Sequence, residues 1–210
     1  MFLLRQTTHR MVMRYHPTIG HLYVPNLTAR IPHERGGYYV RTNSEGFRSD
    51  WEFRHEKGKR PRILFLGDSN IAGDGCDNSE RVSDQLGMIL DVETYNYGLS
   101  GSGTDQHLLI LEHFAKAVQA DVIVLCIVIH NIGRILTSHR NSLERVTGQR
   151  LRVPKPYFTL ENGSLELRNV PVPRDRPPLT DPEPSVPNSD LTLWRRWLQL
   201  FHPDRRESRL

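Results

Sequence analysis

Residues 122–129 read Val-Ile-Val-Leu-Cys-Ile-Val-Ile, eight positions without one polar side chain. A strand apolar on both faces needs cover on both faces, and that need belongs to a parallel sheet held between helices. Residues 62–66 and 92–97 have strand character too. Helical patterns separate the three. Residues 79–90 follow Asn78 or Ser79 as N-cap, with Glu80 in the first turn and Val82, Leu86 and Ile89 on one face. Residues 104–119 carry Leu108, Leu111, Ala115 and Val118 on one stripe. The alternation predicts an α/β fold, a three-layer flavodoxin-like sandwich with a mostly parallel sheet. Ligands of such sheets bind at the carboxyl ends of the strands.

At 210 residues the chain has the length of one main domain. Residues 1–61 read as an N-terminal arm, with residues 27–31 and 38–41 pairing as a hairpin. Residues 62–137 form the α/β core. Residues 138–210 hold a second hairpin around Glu161-Asn162-Gly163, a strap over 171–187 with seven prolines, and a helix over 190–201. That helix has Leu191, Trp194, Leu198 and Phe201 on one side, and His202-Pro203 stops it.

The net charge of +4 is uneven: residues 1–62 carry 12 Lys/Arg against 5 Asp/Glu. Scattered arginines on a solvated surface account for this, and a basic arm touching an acidic polymer or membrane is the alternative. No nucleic-acid motif is visible, no metal-ligand spacing occurs, and no apolar run reaches the ~18 residues of a spanning helix. Cys126 reads as a small core residue. Cys76 lies in a glycine-containing loop, where a disulfide between the two has weak support. The short apolar start, Met1 to Leu4, is no signal peptide, so a cytoplasmic location is expected.

Three strand ends carry polar residues suited to acyl chemistry. The first is Ile63-Leu-Phe-Leu-Gly67-Asp68-Ser69, where a strand stops at a glycine and offers a serine hydroxyl and a free N–H. Capping of a short helix by Asp68-Ser69 is the plainer alternative. A phosphate loop is disfavoured, because residues 67–75 lack the Lys-Ser/Thr ending. The second is Asn96-Tyr97-Gly98-Leu-Ser-Gly101-Ser-Gly103. The third is Ile129-His130-Asn131-Ile132. They occur in order, 29 and 33 residues apart, each interval holding one helix and one strand.

Together these pieces resemble the SGNH (GDSL-type) esterase and acyltransferase family. Residues 16–48 are similar to the arm of its larger members, and residues 155–167 to an insertion found in them. The resemblance implies that Ser69 is the nucleophile and that the N–H groups of Ser69 and Gly98 and the amide of Asn131 bind the oxyanion. Ile129 and Ile132 stand where the family has Gly and Asp. No metal or organic cofactor is implied. The substrate class implied is a small acyl ester or an O-acylated carbohydrate.

A serine needs a positioned base, and the family's base is a histidine in a late Asp-x-x-His. No such motif follows Asn131. His202, with Asp190 or Asp204, and His130 are the remaining candidates. His130 is set back because successive strand residues face opposite ways. The sequence thus reads as the first two thirds of an SGNH-type protein, impaired or inactive as an enzyme. A non-catalytic acyl- or glycan-binding module is the alternative. An incomplete sheet predicts an open strand edge, which with the helix over 190–201 favours self-association.

Overall fold

The central strand of the sheet is β5 (Arg62–Leu66), flanked by β6 (Glu93–Asn96) and β7 (Val122–Leu125), both parallel to it. This is a computed structural model, and it describes residues 12–33, 36–143 and 148–179. The helix over 190–201, His202 and residues 180–187 of the proline-rich strap lie outside the described residues. Around the parallel sheet are four two-stranded antiparallel ladders: β1 (Met13–His16) with β2 (Gly20–Tyr23), β3 (Thr28–Ile31) with β4 (Tyr38–Arg41), β8 (His139–Leu143) with β9 (Arg150–Pro154), and β10 (Tyr157–Glu161) with β11 (Ser164–Arg168). The chain is thus mixed α/β. Among the described residues no helix is long and apolar enough to cross a membrane.

Both predicted hairpins form. Asn162 and Gly163 join β10 to β11 with φ of 50° and 81°. Two consecutive positive φ values are what a two-residue hairpin turn of the right twist needs, and Asn-Gly tolerates them. The ladders β1–β2 and β8–β9 were not expected. In the first, His16 Nδ1 accepts from the N–H groups of Thr18 and Ile19, which closes a tight turn in a segment without alternating apolar residues.

Residues 12–53 belong to the same core as the parallel sheet. Val12, Ile19, Leu22, Tyr23, Phe47 and Phe53 are buried together with Leu64, Tyr97, Leu109 and Ile110. Phe47 meets Tyr97 edge-on at 4.8 Å between centroids, and Phe53 stacks on Tyr95 at 4.5 Å.

The helices differ from expectation in instructive ways. The first predicted helix is a 3-10 turn (Asn78–Glu80) followed by α2 (Val82–Leu90); α1 (Ser69–Ala72) is the short helix after β5. Helix α2 buries Ser83, Asp84 and Gly87 and exposes Val82, Met88 and Ile89. The polar face wins because its groups are committed. Arg81 pairs with Asp84 at 2.9 Å, Ser83 Oγ accepts from Asn96 Nδ2 at 2.7 Å, and a Cβ on Gly87 would lie 2.9 Å from Thr94 Oγ1. The second predicted helix, α3 (Thr104–His113) with a 3-10 turn (Ala115–Ala117), buries Leu109 and Ile110 along with Ala115 and Val118. Leu108 and Leu111 are only half-buried.

Strand β7 is shorter than the apolar run. It ends at Leu125, and residues 129–136 form a 3-10 helix (Ile129–Leu136). Its side chains are not covered on both faces among the described residues: Val122, Ile123 and Leu125 are 47–51% exposed. Beyond β5 no described strand pairs with it. Cys76 and Cys126 are free thiols, so the disulfide is not formed.

Candidate active site

The carboxyl end of β5 runs through Gly67 and Asp68 into α1. Ser69 is the first residue of that helix, so its N–H has no acceptor within the helix. Its hydroxyl is half-buried and has no hydrogen-bond partner among the described residues. Asp68 caps the helix, its Oδ1 accepting from Asn70 N–H at 3.0 Å. The capping alternative is therefore realised, and it places the serine at the strand end. A Cβ on Gly67 would fall 2.5 Å from Ile71 Cγ1, so this glycine is what allows so sharp a turn.

The ladder continues past β6. Tyr97 N–H donates to Phe65 O at 2.8 Å and Leu99 N–H to Gly67 O at 3.0 Å. Gly98 thus lies beside the Ser69 turn. A Cβ on Gly98 would sit 2.5 Å from Ala72 N and 2.8 Å from the Ile71 carbonyl carbon. The Gly98 N–H donates at 2.8 Å to Asn96 Oδ1, while Asn96 Nδ2 donates to Ile71 O and Ser83 Oγ at 2.7 Å each. Buried Asn96 therefore binds three separate segments into one unit.

Asn131 stands in the 3-10 helix after β7, not at a strand end as expected, with its N–H on Val128 O at 2.8 Å. Its amide donates to the Asp68 carboxylate. Ser69 and Gly98 thus follow the ends of β5 and β6, and Asn131 reaches Asp68, next to Ser69, from the 3-10 helix that follows β7. The strand-alternation argument against His130 does not apply in a 3-10 helix. His202 lies outside the described residues.

Burial works to raise the Asp68 carboxyl, but hydrogen bonds from Asn70 and Asn131 and nearby Arg134 outweigh it and keep it below its usual value. Beside it, burial lowers His107 to about 4, with Asp68 opposing and Arg134 reinforcing the shift. Ser102 Oγ donates to Leu99 O at 2.6 Å, so its 2.8 Å contact with His107 Nε2 must be accepted from an Nε2–H. His107 Nδ1 then carries a buried lone pair without a partner among the described residues. Arg134 fixes the same loop by donating to Ser102 O at 2.7 Å. Next to it Lys155 pairs with Asp105; burial pushes the carboxyl up and the ammonium down against their mutual attraction.

Sequence reasoning missed the clamp behind α1. Arg48 is buried and donates to Gly73 O (2.6 Å), Cys76 O (2.8 Å), Asn78 Oδ1 (3.0 Å) and Tyr39 O (3.2 Å). Arg81 in turn donates to Arg48 O at 2.7 Å. No sequence signal marks it: Arg48 is flanked by Asn43-Ser44-Glu45 on one side and Ser49-Asp50 on the other, the setting of an ordinary surface turn. Among the described residues no group of three or more His, Cys, Asp or Glu side chains is placed to hold a metal ion.

No protein-family model and no curated protein sequence matches the chain. Among solved structures it is similar in part to AlinE4, an SGNH-hydrolase family esterase. That likeness has 25% identity and a TM-score of 0.31, covering 33% of this chain and 41% of the esterase. Two mutants of AlinE4 give 23% identity at a TM-score of 0.34, with 40% and 48% coverage, and 29% at 0.29, with 33% and 41%. The chain spans less than half the length of these structures.

Proposed function

We propose that this chain carries the serine site of an SGNH-type ester hydrolase or O-acyltransferase, its parallel sheet being part of the family's flavodoxin-like sandwich. One observation supports the proposal: the Ser69 turn, the Gly98 backbone packed against α1 and the Asn131 amide bonded to Asp68 come from the segments that follow three neighbouring parallel strands.

In this reading Ser69 Oγ attacks the carbonyl carbon of a small acyl ester or O-acylated carbohydrate. The oxyanion collects the N–H of Ser69, the N–H of Gly98 and Nδ2 of Asn131. The first donor is uncommitted within α1. The other two exchange an internal acceptor, Asn96 Oδ1 or the Asp68 carboxylate, for the oxyanion. The base is sought among His202 and His130. A second reading, an acyl- or glycan-binding module without turnover, is favoured by those same occupied donors and by the absence of a partner for the Ser69 hydroxyl among the described residues.

A fluorophosphonate that labels activated serines separates the two. Slow labelling, abolished in Ser69→Ala, is expected. Fast labelling lost in His202→Ala or His130→Ala would identify the base. Where hydrolysis is measurable, Asn131→Ala is expected to lower kcat by less than the ~10²-fold usual for an oxyanion donor, because its amide already bonds Asp68. Absence of any Ser69-dependent labelling or hydrolysis overturns the hydrolase reading.

A further inference from the structure

We propose that Arg134 forms an anion subsite beside Ser69, so that the ester presented to the serine carries a carboxylate near its acyl group. The link to an ester rests on the serine-site reading; the capacity to hold an anion does not.

Arg134 stands three residues after Asn131 in the same 3-10 helix (Ile129–Leu136). Side chains three apart share one face of such a helix, and both of these reach segments next to Ser69. The Asn131 amide bonds the Asp68 carboxylate, and Arg134 Nη1 donates at 2.7 Å to Ser102 O, on the loop that follows Gly98. The Arg134 stem is held too, since a Cβ on Gly103 would lie 3.1 Å from Arg134 Cβ. Its charge helps to keep the Asp68 carboxyl low. A second guanidinium borders this loop: a Cβ on Gly101 would meet Arg140 Nη1 at 2.6 Å.

What stays uncommitted decides the class of ligand. Asp68 accepts from Asn70 and Asn131, Asp105 pairs with Lys155, and Asp74 accepts from the Ser100 hydroxyl. Arg134 pairs with no carboxylate among the described residues. Its Nη1 is spent on Ser102 O, while Nε and Nη2, which share one edge of the guanidinium, have no partner among the described residues. A half-buried cation has lost part of its water, and here no counter-charge replaces it. A carboxylate meets such an edge with two parallel hydrogen bonds, a match that a neutral ester or a hydroxyl cannot make. Holding the loop uses Nη1 alone and leaves that edge unexplained. The carboxylate belongs either to the alcohol part, as in an O-acetylated uronic acid, or to the acyl part, as in the half-ester of a dicarboxylic acid.

The test is calorimetric titration of the whole chain carrying Ser69→Ala, with two pairs of probes. One pair is the methyl glycoside of O-acetylated galacturonic acid against that of O-acetylated galactose. The other is monomethyl succinate against methyl butyrate. In at least one pair the anionic member is expected to bind about tenfold tighter or more, and the pair that shows it names the source of the carboxylate. Adding Arg134→Gln, which keeps an N–H for Ser102 O, should bring the ratio close to one. Arg134→Lys, a charge without the fork, should fall between. No binding of either anionic probe, or a ratio near one in both pairs, overturns the proposal. So does a ratio that both variants leave unchanged. Should neither variant fold, the ratio with Arg134 in place has to fall as salt is raised, and one that does not fall overturns the proposal as well. Arg134-dependent anion binding without any Ser69-dependent labelling of the wild type would sink the hydrolase reading alone. Ser69-dependent labelling without preference for the anionic probes would sink the anion subsite alone.

Discussion

Protonation of His107 should be a main cause of acid destabilisation in this fold. The imidazole is buried, its Nε2–H is spent on Ser102 Oγ, and among the described residues its Nδ1 has no hydrogen-bond partner. Burial holds its pKa at about 4, against an ordinary 6.5 in the unfolded chain. Between those values the unfolded state binds the extra proton and the folded state does not. The stabilisation is thus fully present above pH 6.5, falls as the pH drops, and is gone below pH 4. With ~1.4 kcal/mol for each tenfold change in proton affinity, the whole effect is about 3 kcal/mol, and about 2 kcal/mol of it falls between pH 7 and pH 4.5. His107→Gln keeps an N–H for Ser102 and removes the titration. Urea unfolding of both proteins at pH 7 and pH 4.5 isolates the effect, because other titrating groups cancel in the difference. The wild type should lose about 2 kcal/mol more than the variant. Equal losses would refute the buried neutral imidazole.

Gly98→Ala should destabilise the chain by about 1–3 kcal/mol and slow Ser69 labelling, since the new Cβ meets the backbone of Ile71 and Ala72; wild-type values in both measurements would show that α1 does not depend on that approach. Arg48→Met removes the buried donor shared by Tyr39 O, Gly73 O, Cys76 O and Asn78 Oδ1 and should cost about 3 kcal/mol or more in urea unfolding, whereas a loss under about 1 kcal/mol would refute the clamp. The open flank of β7 should make the chain self-associate, with Ile123→Lys shifting it toward monomer in size-exclusion chromatography; a wild type that elutes as monomer at every concentration would refute this.

The parts of the fold that local chemistry dictates were legible. Asn162-Gly163 can adopt the two positive φ values that a tight hairpin demands. The runs at 62–66 and 92–97 became β5 and β6 because their flanks supply turns. Facing was harder to read. An apolar stripe on α2 predicts a buried Val82 and Ile89, yet the helix turns its serine, aspartate and glycine inward. Asn96 bonds Ser83 and Thr94 packs close to Gly87, both from β6, while Arg81 at the helix start pairs with Asp84, and periodicity cannot weigh these contacts. The same limit applies at β7. An apolar strand states that both faces can be buried; what arrives to bury them is decided by the rest of the chain.

At the candidate site, residue types were visible and their commitments were not. A serine after a strand-ending glycine is a pattern that one segment contains. That Asn131 donates to Asp68 depends on strand order, because β7 must flank β5 for them to meet; the Gly98–Asn96 bond is local, but the bonds of Asn96 to Ile71 and Ser83 need β6 beside β5. The consequence is energetic. A donor already bonded to a carboxylate gains less from an oxyanion than a bare one does, since one charge-assisted bond replaces another. The Gly98 N–H leaves only a neutral amide oxygen and so gains more. The Ser69 N–H, without an acceptor in its own helix, gains the most. If the site turns over esters, the backbone donors therefore carry most of the stabilisation. Asp68 then acts as a brake on Asn131, one that substrate has to release.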